Sequence, residues 1–327
     1  MAVNNNIAGI LGLGSYAPEK VLTNDDLSKI VDTSDEWIFT RTGIRERRIA
    51  RPDQYTSDLA YEAAKRALAN AGLKPSDVGY ILVGTACPDT PFPNTAAWVS
   101  KALGITDVGC LDISTACSGF AYALELAASL VDCGRYKHVL AIGAEKLSAI
   151  TDYTDRGTCV LFGDGAGAAV VGAGGHRIIT SRSTCDFNYD ALHIKHGGSR
   201  APHTHESIEK NGHCIRMNGR EVYRFVVDKM VTLTKEALDR AGLKPEDIAL
   251  FVPHQANAYM LEYAADKAGI PRDRLFMNIE KFGNTSGASV PMALDEAVQT
   301  GRVKKGDYVL LVAFGGGLSS GYSLVQW

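Results

Sequence analysis

The chain has 327 residues, of which 46% are hydrophobic and 22% charged, and its 34 basic and 37 acidic residues give a net charge of −3. These values are ordinary for a globular protein with two domains or one duplicated domain, and without a basic excess they do not favour nucleic acid or an anionic membrane as a partner. The longest apolar runs are far below the ~18 residues of a membrane span, and the first residues lack the basic start and long apolar core of a signal peptide. We therefore expect a cytoplasmic protein.

The first half of the chain predicts alternating helices and strands. Thr56 or Ser57 is the expected N-cap of a helix whose apolar positions recur every three or four residues until Gly72 ends it. The next predicted elements are strand Val78–Val83, strand Leu111–Ser114, helix Ser118–Leu130 and strand Val139–Ile142. Helices that alternate with apolar strands imply an α/β fold with helices on the faces of a sheet.

The second half repeats the first. Ala67–Ala86 and Ala237–Ala256 are identical at nine of twenty positions with a constant offset of 170. The pair Ser118-Gly119 recurs as Ser286-Gly287, at an offset of 168. The elements predicted here are helix Glu221–Ala241, strand Ile248–Val252, helix Ser289–Gln299 and strand Tyr308–Phe314, with a long loop over 186–212. We infer a duplicated domain with halves 1–175 and 176–327 that share a core, because no flexible linker separates them.

Three sequence features could suggest a nucleotide, zinc or other metal site, but none has the spacing or context that such a site needs. Residues 12–17, GLGSYA, fit the dinucleotide fingerprint, but Pro18 follows where that motif opens a helix. The seven cysteines are irregularly spaced and form no C-x-x-C pair, which argues against a disulfide framework and a structural zinc site. Five of the eight histidines fall between His193 and His213, where a polar loop is favoured over a metal site.

Five arginines occur within eleven residues, close to Trp37. They are Arg41, Arg45, Arg47, Arg48 and Arg51. The single Glu46 among them cannot neutralise their charge. Taken alone, the cluster is most simply a solvated basic face. The alternative is an anion site in which arginine pairs with phosphate and the indole offers a stacking face.

Cys117 stands where a predicted strand ends, small residues turn the chain and a helix begins. A thiol at a helix start faces free N–H groups and the positive end of the helix dipole, and both favour the nucleophilic thiolate. A cysteine buried in an apolar helix would instead be inert. Position alone therefore leaves both interpretations of Cys117 open.

The repeat gives a reason to examine His254 and Asn284 as candidate site residues. His254 follows a predicted strand and occupies the position of Gly84 in the first half, while Asn284 falls beside the repeat equivalent of Cys117. If the halves pack about a pseudo-two-fold axis, these strand ends converge, and a nucleophile from one half meets a histidine and an amide from the other. A core histidine without a catalytic role is the alternative for His254.

Five motifs, taken together, resemble those of the β-ketoacyl-acyl-carrier-protein synthase III family over essentially the whole chain. They are DTSDEWIFTRTGIRERR (Asp32–Arg48), TACSGF (Thr115–Phe120), FGDGAGAAV (Phe162–Val170), HQAN (His254–Asn257) and GNTSGASVP (Gly283–Pro291). The resemblance implies an α/β fold of the duplicated, thiolase-like five-layer αβαβα type, in a homodimer. It also implies an acyltransferase that starts fatty-acid synthesis by condensing an acyl-CoA primer, acetyl-CoA above all, with malonyl-acyl carrier protein. No metal or redox cofactor is implied.

The resemblance further implies roles for individual residues. The catalytic set would be Cys117, His254 and Asn284, with Gly316 and Cys117 supplying the N–H groups of an oxyanion hole. The adenine and phosphate end of CoA would bind Trp37, Arg41 and Arg156. The pantetheine tunnel would be lined by Gly219, Ala256 and Asn257, and Phe92 would reach the acyl pocket of the partner subunit. The acyl carrier protein would dock on Gln255, Ala256, Asn257, Ala258, Tyr259, Arg224 and Lys267.

Two features depart from the family pattern. Tyr259 stands where a basic residue is frequent, and Asp266 follows in the same helix, so docking of an acidic carrier protein would depend on the remaining cations. His196 stands where proline often precedes a Gly-Gly pair, in a loop that bears on primer preference. The alternative function is a related starter enzyme of a polyketide or secondary-metabolite pathway. A catalytically inactive binding homologue is disfavoured because all three catalytic residues are present.

Overall fold

The computed structural model describes residues 7–327. The first six residues, which open the predicted 1–175 half and the stretch examined for a signal peptide, lie outside the described part. Within residues 7–327 no helix has both the length and the apolar composition to cross a membrane.

The strands are β1 (Ala8–Tyr16), β2 (Lys20–Thr23), β3 (Glu46–Ile49), β4 (Tyr80–Gly84), β5 (Gly109–Ile113), β6 (His138–Glu145), β7 (Gly165–Ala173), β8 (His176–Cys185), β9 (Leu192–Ile194), β10 (Ile215–Met217), β11 (Ile248–Pro253), β12 (Tyr308–Gly315) and β13 (Ser319–Gln326). The α-helices are α1 (Asn24–Leu27), α2 (Asp35–Thr42), α3 (Thr56–Ala71), α4 (Thr95–Leu103), α5 (Gly119–Asp132), α6 (Arg156–Cys159), α7 (His205–Glu209), α8 (Gly219–Ala241), α9 (Ala258–Lys267), α10 (Ile279–Phe282) and α11 (Ser289–Gln299).

Nine of these strands form one sheet, in the order β11-β12-β13-β8-β1-β7-β6-β4-β5. In the first-half part, β4 runs parallel to β5 and β6, and β7 is antiparallel between β6 and β1. The second-half part repeats this arrangement, with β11 parallel to β12, and β13 antiparallel between β12 and β8. The two parts join where Gly9 and Ile10 of β1 pair with Arg177 and His176 of β8.

Helices cover both parts of the sheet and fill the space between them. Helices α5 and α11 lie in the middle, where one buried cluster combines Leu124 and Leu294 of these helices with Leu82 of β4 and Leu311 of β12. Helix α3 packs on the outer face of the first-half part, and α8 and α9 pack on the outer face of the second-half part. The predicted five-layer αβαβα arrangement is therefore confirmed.

The repeat is visible in the backbone, and it corrects one alignment made from the sequence. Ala116 and Ser286, both with positive φ (48° and 49°), lie 170 residues apart, and each begins a short 3₁₀ turn before a central helix. The offset of 168 is therefore wrong by two residues. The structural equivalent of Cys117 is Gly287, and Asn284 lies three residues before it rather than beside it.

Most predicted elements are present, with shifted ends. Helix α11 has the predicted bounds, whereas α3 is capped by Tyr55, whose N–H donates to Asp58 Oδ2 at 2.8 Å. The predicted loop 186–212 contains the short elements β9 and α7. The G-x-G pattern lies inside β1, where a Cβ on Gly12 would come within 2.6 Å of the Ala67 carbonyl of α3. These glycines serve close strand–helix packing, and strand β2 follows instead of a nucleotide-binding helix.

The proposed boundary between residues 175 and 176 falls in a tight connection. Gly174 and Gly175, both with positive φ, separate β7 from β8. The halves nevertheless share the sheet and the central core, so their division at this point stays a prediction.

Candidate active site

Cys117 is the middle residue of the 3₁₀ turn Ala116–Ser118, between β5 and α5. The left-handed backbone of Ala116 turns the chain sharply just before the cysteine, and the thiol-bearing residue is 8% exposed. Cys117 contributes to the walls of two cavities, which also share Phe162 and Leu192. A thiol in this position can be reached by a ligand from either cavity.

His254 follows β11 directly and is 2% exposed. Its Nδ1 lies 2.6 Å from Oγ of Ser289, the first residue of α11, and Phe314 packs edge-on against the ring at 5.4 Å between centroids. The serine contact occupies Nδ1 and leaves Nε2 as the ring nitrogen that is available to a ligand. Because a hydroxyl both donates and accepts, Ser289 can support either tautomer of the imidazole.

Asn284 lies just after α10, at the start of the loop that leads to α11. Its Oδ1 accepts the Ser286 N–H at 2.8 Å, and its backbone is fixed by Leu161 and Gly163. Among the hydrogen bonds of residues 7–327, none is donated by the Asn284 side-chain NH2. That amide is therefore free to donate to a ligand, and it does so without depending on pH.

One of the two cavities lined by Cys117 has a volume of about 250 Å³ and is also lined by His254 and Asn284. The predicted tunnel residues Gly219, Ala256 and Asn257 line this cavity as well. Most other lining residues are apolar: Leu161, Phe162, Leu192, Met217, Val222, Phe225, Val226, Met260, Phe314 and Leu318. We call this cavity the tunnel cavity.

The other cavity lined by Cys117 has a volume of about 310 Å³, and Gly316 lies in its wall. The sequence analysis missed its apolar lining, which is Leu147, Ile150, Phe162, Leu192, Ile194 and Ile215. Three of these residues, Leu192, Ile194 and Ile215, come from the paired strands β9 and β10, and β9 lies in the segment predicted to be a loop. We call it the second cavity.

Burial opposes charge on both the thiol and the imidazole. It raises the pKa of Cys117 to about 12, although a hydrogen bond with Ser286 acts in the opposite direction. It also lowers the pKa of His254 to about 3. Burial thus favours a neutral thiol beside a neutral imidazole near neutral pH, whereas the helix start favours the thiolate. The preformed thiolate stays a prediction, which the pH dependence of Cys117 alkylation tests.

Glu145 is a buried carboxyl group that the sequence analysis missed. It accepts hydrogen bonds from Ala86 N at 3.0 Å and Ser286 Oγ at 2.9 Å, so it links the first half to the loop before α11. Burial raises its pKa to about 7, while these hydrogen bonds act to lower it. The only sequence signal was an acidic residue at the end of an apolar strand.

The arginine cluster divides into members with different environments. Arg45, Arg48 and Arg51 pair with Asp35, Glu46 and Asp53, at 2.5, 3.3 and 3.0 Å. Arg47 is fully buried and donates to Asn24 Oδ1 at 2.9 Å and to the carbonyls of Leu22 and Val160. The five arginines therefore do not form one anion site.

Arg41 is the arginine of the cluster that packs against Trp37. The guanidinium groups of Arg41 and Arg156 lie 4.5 and 4.7 Å from the centroid of the Trp37 ring. Within residues 7–327, Arg41 makes no salt bridge with a carboxylate. Asn257 of the tunnel cavity donates to the Arg41 carbonyl at 2.6 Å, and Gly157, next to Arg156, also lines that cavity. The Trp37 group thus adjoins the tunnel cavity.

Helix α9 carries three of the seven predicted docking residues, Ala258, Tyr259 and Lys267. Asn257 caps it, and Tyr259 donates from its hydroxyl to the Phe39 carbonyl at 3.2 Å. Arg272 binds both oxygens of Asp266, at 3.0 and 2.6 Å, and so offsets the charge that was expected to oppose an acidic partner. Arg224 and Lys267 are exposed.

Two predicted contact residues lie elsewhere than expected. Gln255 is 1% exposed and donates to the Pro253 carbonyl at 2.7 Å, so its expected contact with a carrier protein is wrong. Phe92 is 87% exposed and lines neither cavity of its own chain, so its role in a partner subunit stays a prediction. In the histidine-rich segment, as in the rest of residues 7–327, no group of three or more potential ligands could hold a metal ion.

Comparison with known proteins gives consistent matches. The family profile described as 3-oxoacyl-[acyl-carrier-protein (ACP)] synthase III matches residues 111–186, and its C-terminal counterpart matches residues 238–327. A beta-ketoacyl-[acyl-carrier-protein] synthase III of Caldanaerobacter subterraneus is 54% identical over 98% of both chains. The crystal structure of 3-oxoacyl-[acyl-carrier-protein] synthase III from Aquifex aeolicus is 46% identical, with a TM-score of 0.91 over 98% of this chain and 100% of that one. The priming β-ketosynthase of the R1128 polyketide pathway is 35% identical, with a TM-score of 0.91 over 100% of this chain and 98% of that one.

Proposed function

We propose that this chain, which belongs to the β-ketoacyl-acyl-carrier-protein synthase III family, condenses an acyl-CoA primer with malonyl-acyl carrier protein and releases CO2 and CoA. The observation that carries the proposal is the single cavity lined by Cys117, His254 and Asn284. Incubation with acetyl-CoA and malonyl-acyl carrier protein should yield acetoacetyl-acyl carrier protein, detected by mass, together with CO2. Failure to form a 3-oxoacyl-acyl carrier protein with any acyl-CoA would contradict the proposal.

In the first half-reaction, Cys117 Sγ attacks the thioester carbon of the acyl-CoA, and its proton passes to His254 Nε2. The carbon–sulfur bond to CoA then breaks, and CoA takes the proton and leaves. The acyl group remains on Cys117. Backbone N–H groups of Cys117 and Gly316 stabilise the negative oxygen of the tetrahedral intermediate.

In the second half-reaction, malonyl-acyl carrier protein enters the tunnel cavity. His254 Nε2 and the Asn284 amide donate hydrogen bonds to its thioester oxygen while the carbon–carbon bond to CO2 breaks and negative charge develops there. The resulting carbanion attacks the acyl carbon, and Cys117 leaves as a thiolate that then takes up a proton. Loss of CO2 drives the condensation, so this chemistry needs no metal or redox cofactor.

The second cavity is proposed to hold the acyl group of the primer, with acetyl-CoA as the simplest substrate. Its apolar walls suit a hydrocarbon group that is attached to Cys117. Its volume of about 310 Å³ exceeds the need of an acetyl group, and the partner subunit's Phe92 would narrow it. A panel of acyl-CoA substrates of increasing length, assayed with malonyl-acyl carrier protein, will define the primer.

A homodimer is proposed from the exposed edge of the sheet. Strand β5 lies at one edge of the nine-stranded sheet, and Leu111 on this strand is 42% exposed. An exposed edge strand presents unpaired N–H and C=O groups that a second copy can pair. Phe92, in the connection before α4, would then be free to enter the partner. Sedimentation equilibrium should give twice the mass of the chain.

Trp37, Arg41 and Arg156 are proposed to bind the adenine and phosphate end of CoA. Replacing Arg156 with alanine should raise the KM for acetyl-CoA about tenfold, because a stacked and charge-pairing guanidinium is lost. The KM for malonyl-acyl carrier protein should not change, since carrier-bound pantetheine has no adenosine. Arg51→Ala is the matched control, because Arg51 is an exposed arginine that pairs with Asp53. A rise in both KM values would show that the tunnel itself had been damaged.

The carrier protein is proposed to dock on Ala256, Asn257, Ala258, Tyr259, Arg224 and Lys267. Tyr259→Arg should raise kcat/KM for malonyl-acyl carrier protein at low salt, and Lys267→Glu should lower it. The expected changes are up to about fivefold, the scale of one exposed charge pair, and salt should reduce them because the Debye length is only ~8 Å at physiological ionic strength. Acylation by acetyl-CoA should not change.

Tyr259→Phe controls for the loss of the hydroxyl contact to Phe39, because it removes that contact without adding charge. If Tyr259→Arg and Lys267→Glu leave the carrier kinetics unchanged at every salt concentration, α9 is not the docking face.

A second candidate function is the priming of a polyketide pathway, favoured by the 35% identity to a priming β-ketosynthase. The condensation chemistry would be the same, and the carrier protein would differ. A comparison of kcat/KM for malonyl groups on carriers from fatty-acid and polyketide systems separates the two.

A further inference from the structure

Two buried serines connect two segments from different halves of the chain. One segment is the turn Ala116–Ser118, which we call the nucleophile turn, and the other is the run of three glycines at 315–317, which we call the glycine loop. Ser118, which follows Cys117, is 0% exposed, and Ser319, at the start of β13, is 2% exposed. Their Oγ atoms lie 2.8 Å apart, and Ser319 Oγ lies 2.8 Å from the Gly316 carbonyl. The contact between the two serines joins residues that are 201 positions apart in the chain.

The number of hydroxyl protons determines how these contacts are used. Each hydroxyl has one proton to donate. The Thr115 carbonyl lies 2.9 Å from Ser118 Oγ and 3.0 Å from Ser319 Oγ, but it already accepts the Ser118 N–H at 3.2 Å. Ser118 Oγ can donate to Ser319 Oγ or to the Thr115 carbonyl, and in either case Ser319 Oγ can donate to the Gly316 carbonyl. In the first arrangement the two hydroxyls form a relay from Ser118 through Ser319 to the Gly316 carbonyl.

This relay holds the glycine loop on one side while close packing holds it on the other. A Cβ on Gly315 would lie 2.5 Å from the Thr115 carbonyl and 2.7 Å from the Cys117 nitrogen, so the loop backbone rests directly on the nucleophile turn. The Gly316 carbonyl is fixed at the same time by Ser319. Gly316 is thereby restrained on both sides relative to Cys117.

We propose that Ser118 and Ser319 are positioning residues that set the distance between the N–H groups of Cys117 and Gly316. The inference rests on the proposed function, in which these two N–H groups stabilise the oxyanion. A donor works only when it is already aimed at the place where charge develops. The two serines fix that aim across the boundary between the halves, and neither touches the substrate.

Strand β13 also supplies a matched control. Ser323 lies four residues after Ser319 and is 0% exposed, yet its hydroxyl has no hydrogen-bond partner within residues 7–327. Ser323→Ala therefore removes a buried hydroxyl of the same type, from the same strand, without breaking a contact.

The test compares two reactions of Cys117. Acylation by acetyl-CoA, followed by intact mass, passes through an oxyanion, whereas alkylation by iodoacetamide does not. Ser319→Ala and Ser118→Ala should each slow acylation about three- to tenfold, the range for one neutral hydrogen bond. The double variant should be no slower than the single ones because both serines belong to one relay. Alkylation and the KM for acetyl-CoA should stay near wild type.

Further measurements separate this proposal from other causes. Ser319→Thr keeps a hydroxyl and should restore acylation, and Ser323→Ala should match the wild type in both reactions. If Ser319→Ala acylates as fast as Ser323→Ala, or if it slows alkylation as much as acylation, the positioning role is wrong. If the wild-type protein is not acylated at all, the proposed function fails instead.

Discussion

Incubation with acetyl-CoA should add one acetyl group to the protein, at Cys117, and the Cys117→Ser variant should take up none. A serine hydroxyl is a much weaker acid and a weaker nucleophile than a thiol, so the proton transfer that accompanies attack is far less favourable for serine than for Cys117. Intact-mass measurement followed by peptide mapping checks both statements. Acetylation of the exposed residues Cys133 or Cys185 in place of Cys117 would contradict the assignment.

The pH dependence of Cys117 alkylation tests whether the resting pair is neutral. Burial raises the pKa of Cys117 to about 12, so the thiolate fraction at pH 7 is small and should rise about tenfold for each pH unit from 6 to 9. The rate of reaction with iodoacetamide should rise in the same proportion. A rate that is already constant above pH 6 would reveal a preformed thiolate–imidazolium pair and would confirm the prediction drawn from the helix start.

The three catalytic candidates could be predicted because each has a local signature. Cys117 and His254 follow strands, Asn284 lies in a Gly-rich turn, and the family resemblance of the motifs around them joined the three in one catalytic set. The contact of Ser289 with His254 could not be predicted in the same way. Hydrophobic periodicity shows which face of a helix is buried, and Ser289 appeared only as the start of α11. Which side chain a buried polar group meets depends on the packing of distant elements.

Burial is the property that the sequence predicted least well. Gln255 was expected to contact a carrier protein because of the family resemblance, whereas it is 1% exposed. Cys117 was judged from its neighbours in the chain, and its burial opposes the thiolate that the helix start favours. Desolvation acts on the charged form of a group in proportion to that burial, and no local motif reports it. The arginine cluster was also judged from its immediate neighbours, whereas Arg45 forms a salt bridge with Asp35, the first residue of α2.

Asn284→Asp should leave acylation by acetyl-CoA nearly intact and lower condensation with malonyl-acyl carrier protein by roughly 10²–10³, the cost of losing one donor to a developing oxyanion. The aspartate keeps an oxygen that can accept the Ser286 N–H, now bound by Asn284 Oδ1 at 2.8 Å, so the loop before α11 is preserved. It loses the NH2 group that is proposed to donate to the malonyl thioester oxygen. Single-turnover acylation and steady-state condensation, measured on the same preparation, separate the two effects.

Asn284→Ala supplies the comparison that distinguishes catalysis from structure. Alanine removes the donor and also leaves the Ser286 N–H without its acceptor in a buried turn, which should cost about 1–3 kcal/mol of stability. Both variants should lose condensation to a similar degree, while only the alanine variant should melt at a lower temperature. If both half-reactions fall equally in Asn284→Asp, the amide does not act on the malonyl group alone, and Asn284 would instead be needed to shape the site around Cys117 and Ser286.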